Sequence, residues 1–425
     1  MQKYLRWSAI LTMMLLVLAA CGSGSPSPAA STAASAAESA AESMADPTAA
    51  CDEDPFNCVE VAAGDPIVLG TALVISGPNA SLGLDSQYGA QVAVNLAGQV
   101  LGHDVELDNQ DDGCSADGGT ASANLLKSKP EIAAVVGTSC SSAGVPAAQI
   151  LSEAGILLVS PSNTAPSLTD PASHSPFYAR TAHNDKIQGA AMAQFACDEL
   201  GVTSAATIHD GSPYAEQLQQ VFADNFASIC GGTVTSQNAI SVGQTDFGAL
   251  LTDIAADSPE MIYLPIFVAE GALVTQQAKT TAGLEDTILA GADGIFTPDF
   301  LAAAGDAAEG MYFSGPDLAF AGSFYEDEFL PAYTEVSGES APISVFHAHA
   351  FDAVNMILNS IKNVAFEGDD GTLYIPRTAL KDDFLSTTGF EGITGTLTCN
   401  ADGDCADAKI SVSQAQSGEY VRIWP

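Results

Sequence analysis

The sequence predicts an α/β protein of two lobes, each built on a parallel sheet. Three observations lead there. Short apolar, β-branched runs alternate with segments of helical periodicity. The alternation runs once before Arg180 and starts again after it. The 425 residues give room for more than one globular unit, domains commonly running about 100–200 residues. Helices of this length between strands imply βαβ units and parallel pairing.

The first residues stand apart from the fold. Lys3 and Arg6 precede an apolar run from Ile10 to Ala20, followed at once by Cys21. A membrane-spanning helix takes about 20 apolar residues, so the run reads as the h-region of a signal peptide over residues 1–20. Leu18-Ala19-Ala20-Cys21 matches the bacterial lipobox, in which cleavage precedes the cysteine and its thiol receives diacylglycerol. Buried acyl methylenes contribute about 0.8 kcal/mol each. The expectation is an extracytoplasmic protein anchored to the cell membrane through Cys21. Residues 21–50 hold that cysteine and a linker of Ala, Ser, Gly and Pro, which lacks the large apolar groups needed to offset ordering entropy.

Composition narrows the partners. Twelve Lys and Arg face 52 Asp and Glu, a formal charge of −40. A nucleic-acid partner needs a basic face to displace counterions, and an anionic bilayer surface attracts basic segments, so both are excluded as electrostatic partners. The acidic excess reads as a solvated surface. Of nine cysteines, Cys21 takes the lipid and eight remain for an oxidising compartment. Neighbours in sequence pair as Cys51–Cys58, Cys114–Cys140, Cys197–Cys230 and Cys399–Cys405, although spacing alone does not select among the pairings open to eight cysteines. There is no CxxC, and the six histidines are scattered, so no zinc site is expected.

The remaining elements follow in order. Strand 68–75 (VLGTALVI) stops at Ser76-Gly77-Pro78 and leads to a helix over 87–101. A second strand starts at Val105, with a helix over 120–127. Strand 132–137 (IAAVVG), helix 143–154 and strand 156–160 (ILLVS) continue the rhythm. After Arg180 come helix 188–200, strand 205–209, helix 215–229, strand 261–265, helix 271–281 and strand 287–291. Less regular segments close the chain: helices over 323–335 and 345–362, and a hairpin-like stretch from Gly392. In open α/β sheets ligands bind beyond the carboxyl ends of the strands.

Several fragments in this order resemble the periplasmic leucine/isoleucine/valine-binding proteins, type I solute receptors of ABC importers. The fragments are Ser76-Gly77-Pro78, Asp111-Asp112-Gly113-Cys114, Cys140-Ser141-Ser142, Ser160-Pro161-Ser162-Asn163-Thr164, Tyr214 after a strand, and Gly305 to Met311. The likeness runs from about Pro66 to Pro425. It implies two Rossmann-like lobes joined by three crossings, expected near 183–187, 314–318 and 390–396. Lobe 1 would then comprise 51–185 and 317–392, and lobe 2 186–316 and 393–425. It also implies a Cys114–Cys140 bridge, a monomer, no cofactor and no enzymatic activity.

The chemistry of a zwitterionic amino acid agrees with the residues the resemblance points to. Ser141 stands at a helix start, with Pro146 expected in its first turn, where free N–H groups and the helix dipole favour a carboxylate. Thr164 would add a hydroxyl and an N–H. The Ser162 carbonyl would accept from the ammonium, Asp293 would neutralise it, and Tyr214 would close over it from the second lobe. Ser139, Cys140, Leu82 and Phe267 would line the pocket. A serine at 139, where branched-chain receptors often carry leucine, implies a more polar or differently shaped ligand. The expected role is delivery of an amino acid, branched-chain or related, to a membrane permease and its ATPase. A sensor for a chemoreceptor or kinase, and a receptor for amides or urea, remain open beside it.

Two other motifs are set aside. His347 and His349 are two apart, which directs their rings away from each other on a helix. Asn400-Ala401-Asp402-Gly403-Asp404 has calcium-loop spacing but Ser411 where the twelfth-position glutamate belongs. No nucleophile elbow, Walker loop or zincin helix occurs.

Overall fold

The computed structural model describes residues 49–425. The expected signal peptide, Cys21 and nearly all of the expected linker lie outside the described residues. No helix among the described residues is long and apolar enough to cross a membrane.

Two sheets organise the chain. The first places Val105–Asp111, Ile67–Leu73, Ile132–Gly137, Leu157–Ser160 and Tyr178–Arg180 side by side, all parallel. The second orders Thr233–Ala239, Ser204–His209, Met261–Leu264, Ile288–Gly291 and Tyr312–Pro316 in the same way, also parallel. Within each sheet the strand that comes first in the chain sits second from the edge, between the second and third strands. The strand order therefore reverses beside the first strand of each lobe, and a crevice opens there at the carboxyl ends. Ile410–Gln416 and Glu419–Trp424 add to the second sheet in antiparallel fashion.

Both faces of the first sheet are covered. Ala90, Val94, Ala353 and Ile357 from helices Ala80–Ala97 and His347–Val364 pack on one face. Ala123, Leu126, Ala147 and Leu151 from Ala116–Lys127 and Ser141–Glu153 pack on the other. The covering helices approach closely. A Cβ on Gly89 would come within 2.0 Å of the His347 carbonyl oxygen, so only glycine permits that crossing. The second lobe's core extends without a break to Val74, Leu82 and Cys140 of the first.

The crossings follow from these memberships. Strand Tyr178–Arg180 belongs to the first sheet, whereas helix Asp185–Asp198 contributes Met192, Ala193 and Phe195 to the second lobe's core. Tyr312–Pro316 ends the parallel part of the second sheet, and Phe329 is back in the first lobe's core. The third crossing falls later than the expected 390–396. Leu397 and Cys405 are buried in the first lobe, Arg180 N–H donates to the Gly403 carbonyl and Cys405 N–H to that of Arg180. The chain joins the second sheet only from Ile410. Residues 393–405 therefore pack on lobe 1, not lobe 2.

All four disulfides form as sequence neighbours: Cys51–Cys58, Cys114–Cys140, Cys197–Cys230 and Cys399–Cys405. The last clamps the 400–404 loop, where the Asn400 side chain accepts from the N–H groups of Asp402 and Asp404. The Asp404 carboxylate accepts from Arg180 Nε at 2.6 Å and from Thr169 and Asn184. It is committed to the protein. His347 is likewise committed, its Nδ1 to Asp85 and its Nε2 to the Tyr325 hydroxyl.

Candidate functional site

Every site residue expected from the sequence lies just beyond the carboxyl end of a parallel strand. Leu82 follows the first strand of the first sheet; Ser139 to Ser141 follow the third; Ser162 and Thr164 follow the fourth. In the second sheet Tyr214, Phe267 and Asp293 occupy the corresponding places. A small cavity is lined by Leu82, Ser139, Cys140, Ser141, Ser162 and Phe346 from one lobe, and Tyr214, Phe267, Asp293 and Gly294 from the other. The strand order predicts a crevice here, and the cavity lies in it.

One wall is a helix start. Helix Ser141–Glu153 begins two residues before the expected 143, so Pro146 falls in its second turn. Ala143 and Gly144 N–H both bond the Cys140 carbonyl, whereas the amides of Ser141 and Ser142 precede the first helical bond and belong to the orphan donors of a helix start. Ser141 Oγ accepts from Ala165 N at 3.2 Å, which leaves its own O–H to donate. Ser162 Oγ donates to the Ser139 carbonyl at 2.9 Å. Ser139 Oγ accepts from Val74 N at 2.9 Å, so this hydroxyl ties the third strand's loop to the first strand. That bond accounts for serine at 139 without calling on a polar ligand.

The facing wall is anionic. Asp293 opens a tight turn, Asp293–Ile295, directly after strand Ile288–Gly291. Its Oδ1 accepts from the Tyr214 hydroxyl at 2.7 Å and from Gln188 Nε2 at 2.9 Å. Both bonds fall on one oxygen, and Oδ2 takes neither. Burial, and then the Asp293 charge, push the Tyr214 hydroxyl well above the ordinary tyrosine range, so Tyr214 stays protonated and donates. Gly294 N–H donates to the same hydroxyl at 3.1 Å, and the ring leans on Phe267, centroids 5.3 Å apart. The junction Ser212–Pro213–Tyr214 places it, Ser212 capping helix Pro213–Cys230.

Behind this wall lies a buried polar cluster at the first crossing. Gln188 also donates to Ser314 and faces His183, whose ring stacks on Phe346. Burial holds His183 below the usual imidazole range and His349 down to about 3. Burial, and then Asp293, raise the Asp185 carboxyl well above the carboxylate range. Thr164 belongs to this cluster and does not line the cavity. Its carbonyl accepts from Asp185 N at 2.9 Å, and its hydroxyl lies beside the Asp185 carboxyl. Sequence reasoning missed Gln188 and Phe346. Gln188 sits within a helix and Phe346 just before one, and neither position has a spacing that marks it.

Two lobes of like topology closing on one cavity, hydroxyls and a helix start on one side and a carboxylate on the other, define a receptor for a small polar solute. The chain belongs to the periplasmic binding protein family, whose match spans residues 66–419. Its members are binding proteins and not enzymes. It is 28% identical over 367 residues to a Leu/Ile/Val-binding protein homolog of Brucella melitensis, covering 85% of this chain and 95% of that one. To the leucine-, isoleucine-, valine-, threonine- and alanine-binding protein of Pseudomonas aeruginosa it is 29% identical, covering 82% and 90%. A leucine-binding protein from Thermotoga maritima superimposes with a TM-score of 0.75 at 25% identity, over 84% of this chain and 97% of that one. A branched-chain amino-acid transporter substrate-binding protein from Streptococcus pneumoniae, solved with isoleucine, gives 0.73 at 25%, over 85% and 100%. These likenesses establish the type I periplasmic-binding fold.

Proposed function

We propose that the protein is the extracytoplasmic, lipid-anchored substrate-binding component of an ABC importer. It captures a free amino acid, branched-chain or related, by closing its two lobes, and delivers it to a membrane permease. The observation that carries this reading is the pairing, across one cavity, of the Ser141 helix start with the Asp293 carboxylate. An amino acid presents an anion and a cation on adjacent carbons. The orphan amides of the helix start and the Ser141 O–H suit the carboxylate, and Asp293 suits the ammonium. The Ser162 carbonyl accepts from the same ammonium. Thr164 contributes by holding Asp185 rather than by touching the solute. Leu82, Phe267 and Phe346 enclose the side chain. A ligand that bridges both lobes binds the closed form better than the open one and shifts the population to it. Anchoring through Cys21 keeps the receptor beside its permease.

A thermal-shift screen against the amino acids tests this, because a ligand that binds only the native state raises the melting temperature. At least one branched-chain or small aliphatic amino acid is expected to give a saturable rise, abolished by Asp293→Ala. A shift that survives Asp293→Ala unchanged would remove the ammonium assignment.

A further inference from the structure

A second cavity, of about 360 Å³, lies beside the first. No residue lines both, but neighbours along the chain do. Phe296 follows the Asp293 turn, its N–H bonded to the Asp293 carbonyl, and Val345 precedes Phe346 of the first cavity. The antiparallel strands that complete the second sheet supply Ser413, Tyr420 and Arg422. The second cavity is therefore assembled from both lobes, like the first. Its volume lies within the range of small-molecule sites, roughly 300–1,000 Å³.

The chemistry of the walls is uneven. Phe296 and Tyr420 form a fixed aromatic side, ring centroids 4.4 Å apart, with the Tyr420 hydroxyl bonded to the carbonyls of Ile295 and Thr297. Val345 adds an aliphatic side. Against these stand the Ser413 hydroxyl and Ser344 Oγ, which is buried without a hydrogen-bond partner. Arg422 gives one N–H to Asp317, at 2.8 Å, and a guanidinium has further donors to offer. In a chain of net charge −40, a guanidinium on a cavity wall is a rare place where an anion is not repelled.

We propose that this cavity is a second binding site, for a small apolar carboxylate: one ring or short branched chain with a single acid group. The acid meets Arg422 and the serine hydroxyls, and the apolar part lies on Phe296, Tyr420 and Val345. Because both lobes build the site, its occupant binds the closed form, and by linkage it raises the affinity of the first cavity for its own ligand. That coupling rests on the lobe closure proposed above; the site itself does not.

Phenylacetate is the probe, titrated calorimetrically into the full-length protein. The expected result is saturable binding to the wild type and to Asp293→Ala. Binding should fall by about tenfold or more, roughly 1.4 kcal/mol, for Arg422→Gln and for Ser413→Leu, and to the same degree when uncharged phenylacetamide replaces phenylacetate. Arg422 is partly exposed, so Arg422→Gln carries the test if Ser413→Leu fails to fold. Three results would each overturn the proposal: no saturable binding at millimolar probe, binding lost in Asp293→Ala but kept in Arg422→Gln, or phenylacetamide binding as well as phenylacetate. The second would place the probe in the first cavity, and would leave the amino-acid reading standing.

Discussion

Tyr214 and Gln188 each give one hydrogen bond to the same oxygen of Asp293, which orients the other oxygen. Tyr214→Phe removes one bond to a charged acceptor, worth about 1.5–3 kcal/mol. The expected result is amino-acid binding weaker by about tenfold or more, read by calorimetry, together with a lower melting temperature of the free protein, because the bond and the Gly294 N–H contact exist without ligand. An unchanged affinity would show that Asp293 is oriented by Gln188 alone. His349 makes a different prediction. Burial lowers it from 6.5 to about 3, with His183 and His347 adding to the effect. The unfolded chain therefore takes up a proton as pH falls through 6.5 while the folded protein does not, so this group costs stability toward acid. At pH 5 the cost is about 2 kcal/mol at 1.36 kcal/mol per pH unit. Urea unfolding of His349→Leu should show a smaller loss of stability between pH 7 and 5 than the wild type. Legibility differed by residue for physical reasons. Ser141, Ser162, Tyr214 and Asp293 sit where strands end and helices or turns begin, and sequence punctuation marks such places. Gln188 lies in the first turn of a helix, where a polar residue ordinarily means solvent.

At the scale of elements, helix Ala80–Ala97 does more than cover a sheet. Its Asp85 carboxylate, fully buried, accepts from the Tyr333 hydroxyl at 2.8 Å, from the N–H groups of Phe346 and His347, and from His347 Nδ1. One side chain thus fixes the entry to helix His347–Val364 and, with it, Phe346 in the first cavity and Val345 in the second. Asp85→Ala would strand these donors in the interior and is expected to destabilise the protein by about 3–5 kcal/mol. Chemical denaturation checks this, and a loss under 1 kcal/mol would mean that water replaces the carboxylate. Element boundaries were harder to foresee than elements. Helix Ala80–Ala97 begins well before the expected 87, since its first turn packs on the first strand's end: a Cβ on Gly83 would meet the Val74 carbonyl oxygen at 2.0 Å. That contact is tertiary and leaves no local periodicity. Strand Thr233–Ala239 escaped notice because it is a polar edge strand, TVTSQNA, without an apolar run.

For the whole molecule, charge and topology set the expectations. Fifty-two acidic side chains against twelve basic ones repel one another most in the compact state. Salt shortens that repulsion, with a Debye length of about 30 Å at 0.01 M and about 3 Å at 1 M. The melting temperature should therefore rise between 0.01 and 1 M sodium chloride, and a flat profile would mean that the charges are too widely spaced to interact. The two-lobe architecture was legible because the strand–helix rhythm restarts after Arg180. The third crossing was not, because residues 403–405 are held on lobe 1 by Arg180, more than two hundred positions away in sequence, and residues 393 and 394 by Asp352 inside a helix. The same interleaving governs the order in which the protein can mature as it is synthesised. The five parallel strands of lobe 2 are available once Pro316 has emerged, yet their outer edge at Tyr312–Pro316 waits for Ile410–Gln416. In between, the ribosome must deliver nearly a hundred residues that belong mostly to the other half. During that interval the half-built sheet offers an unpaired border to any passing strand, an exposure that a protein with contiguous halves would end sooner.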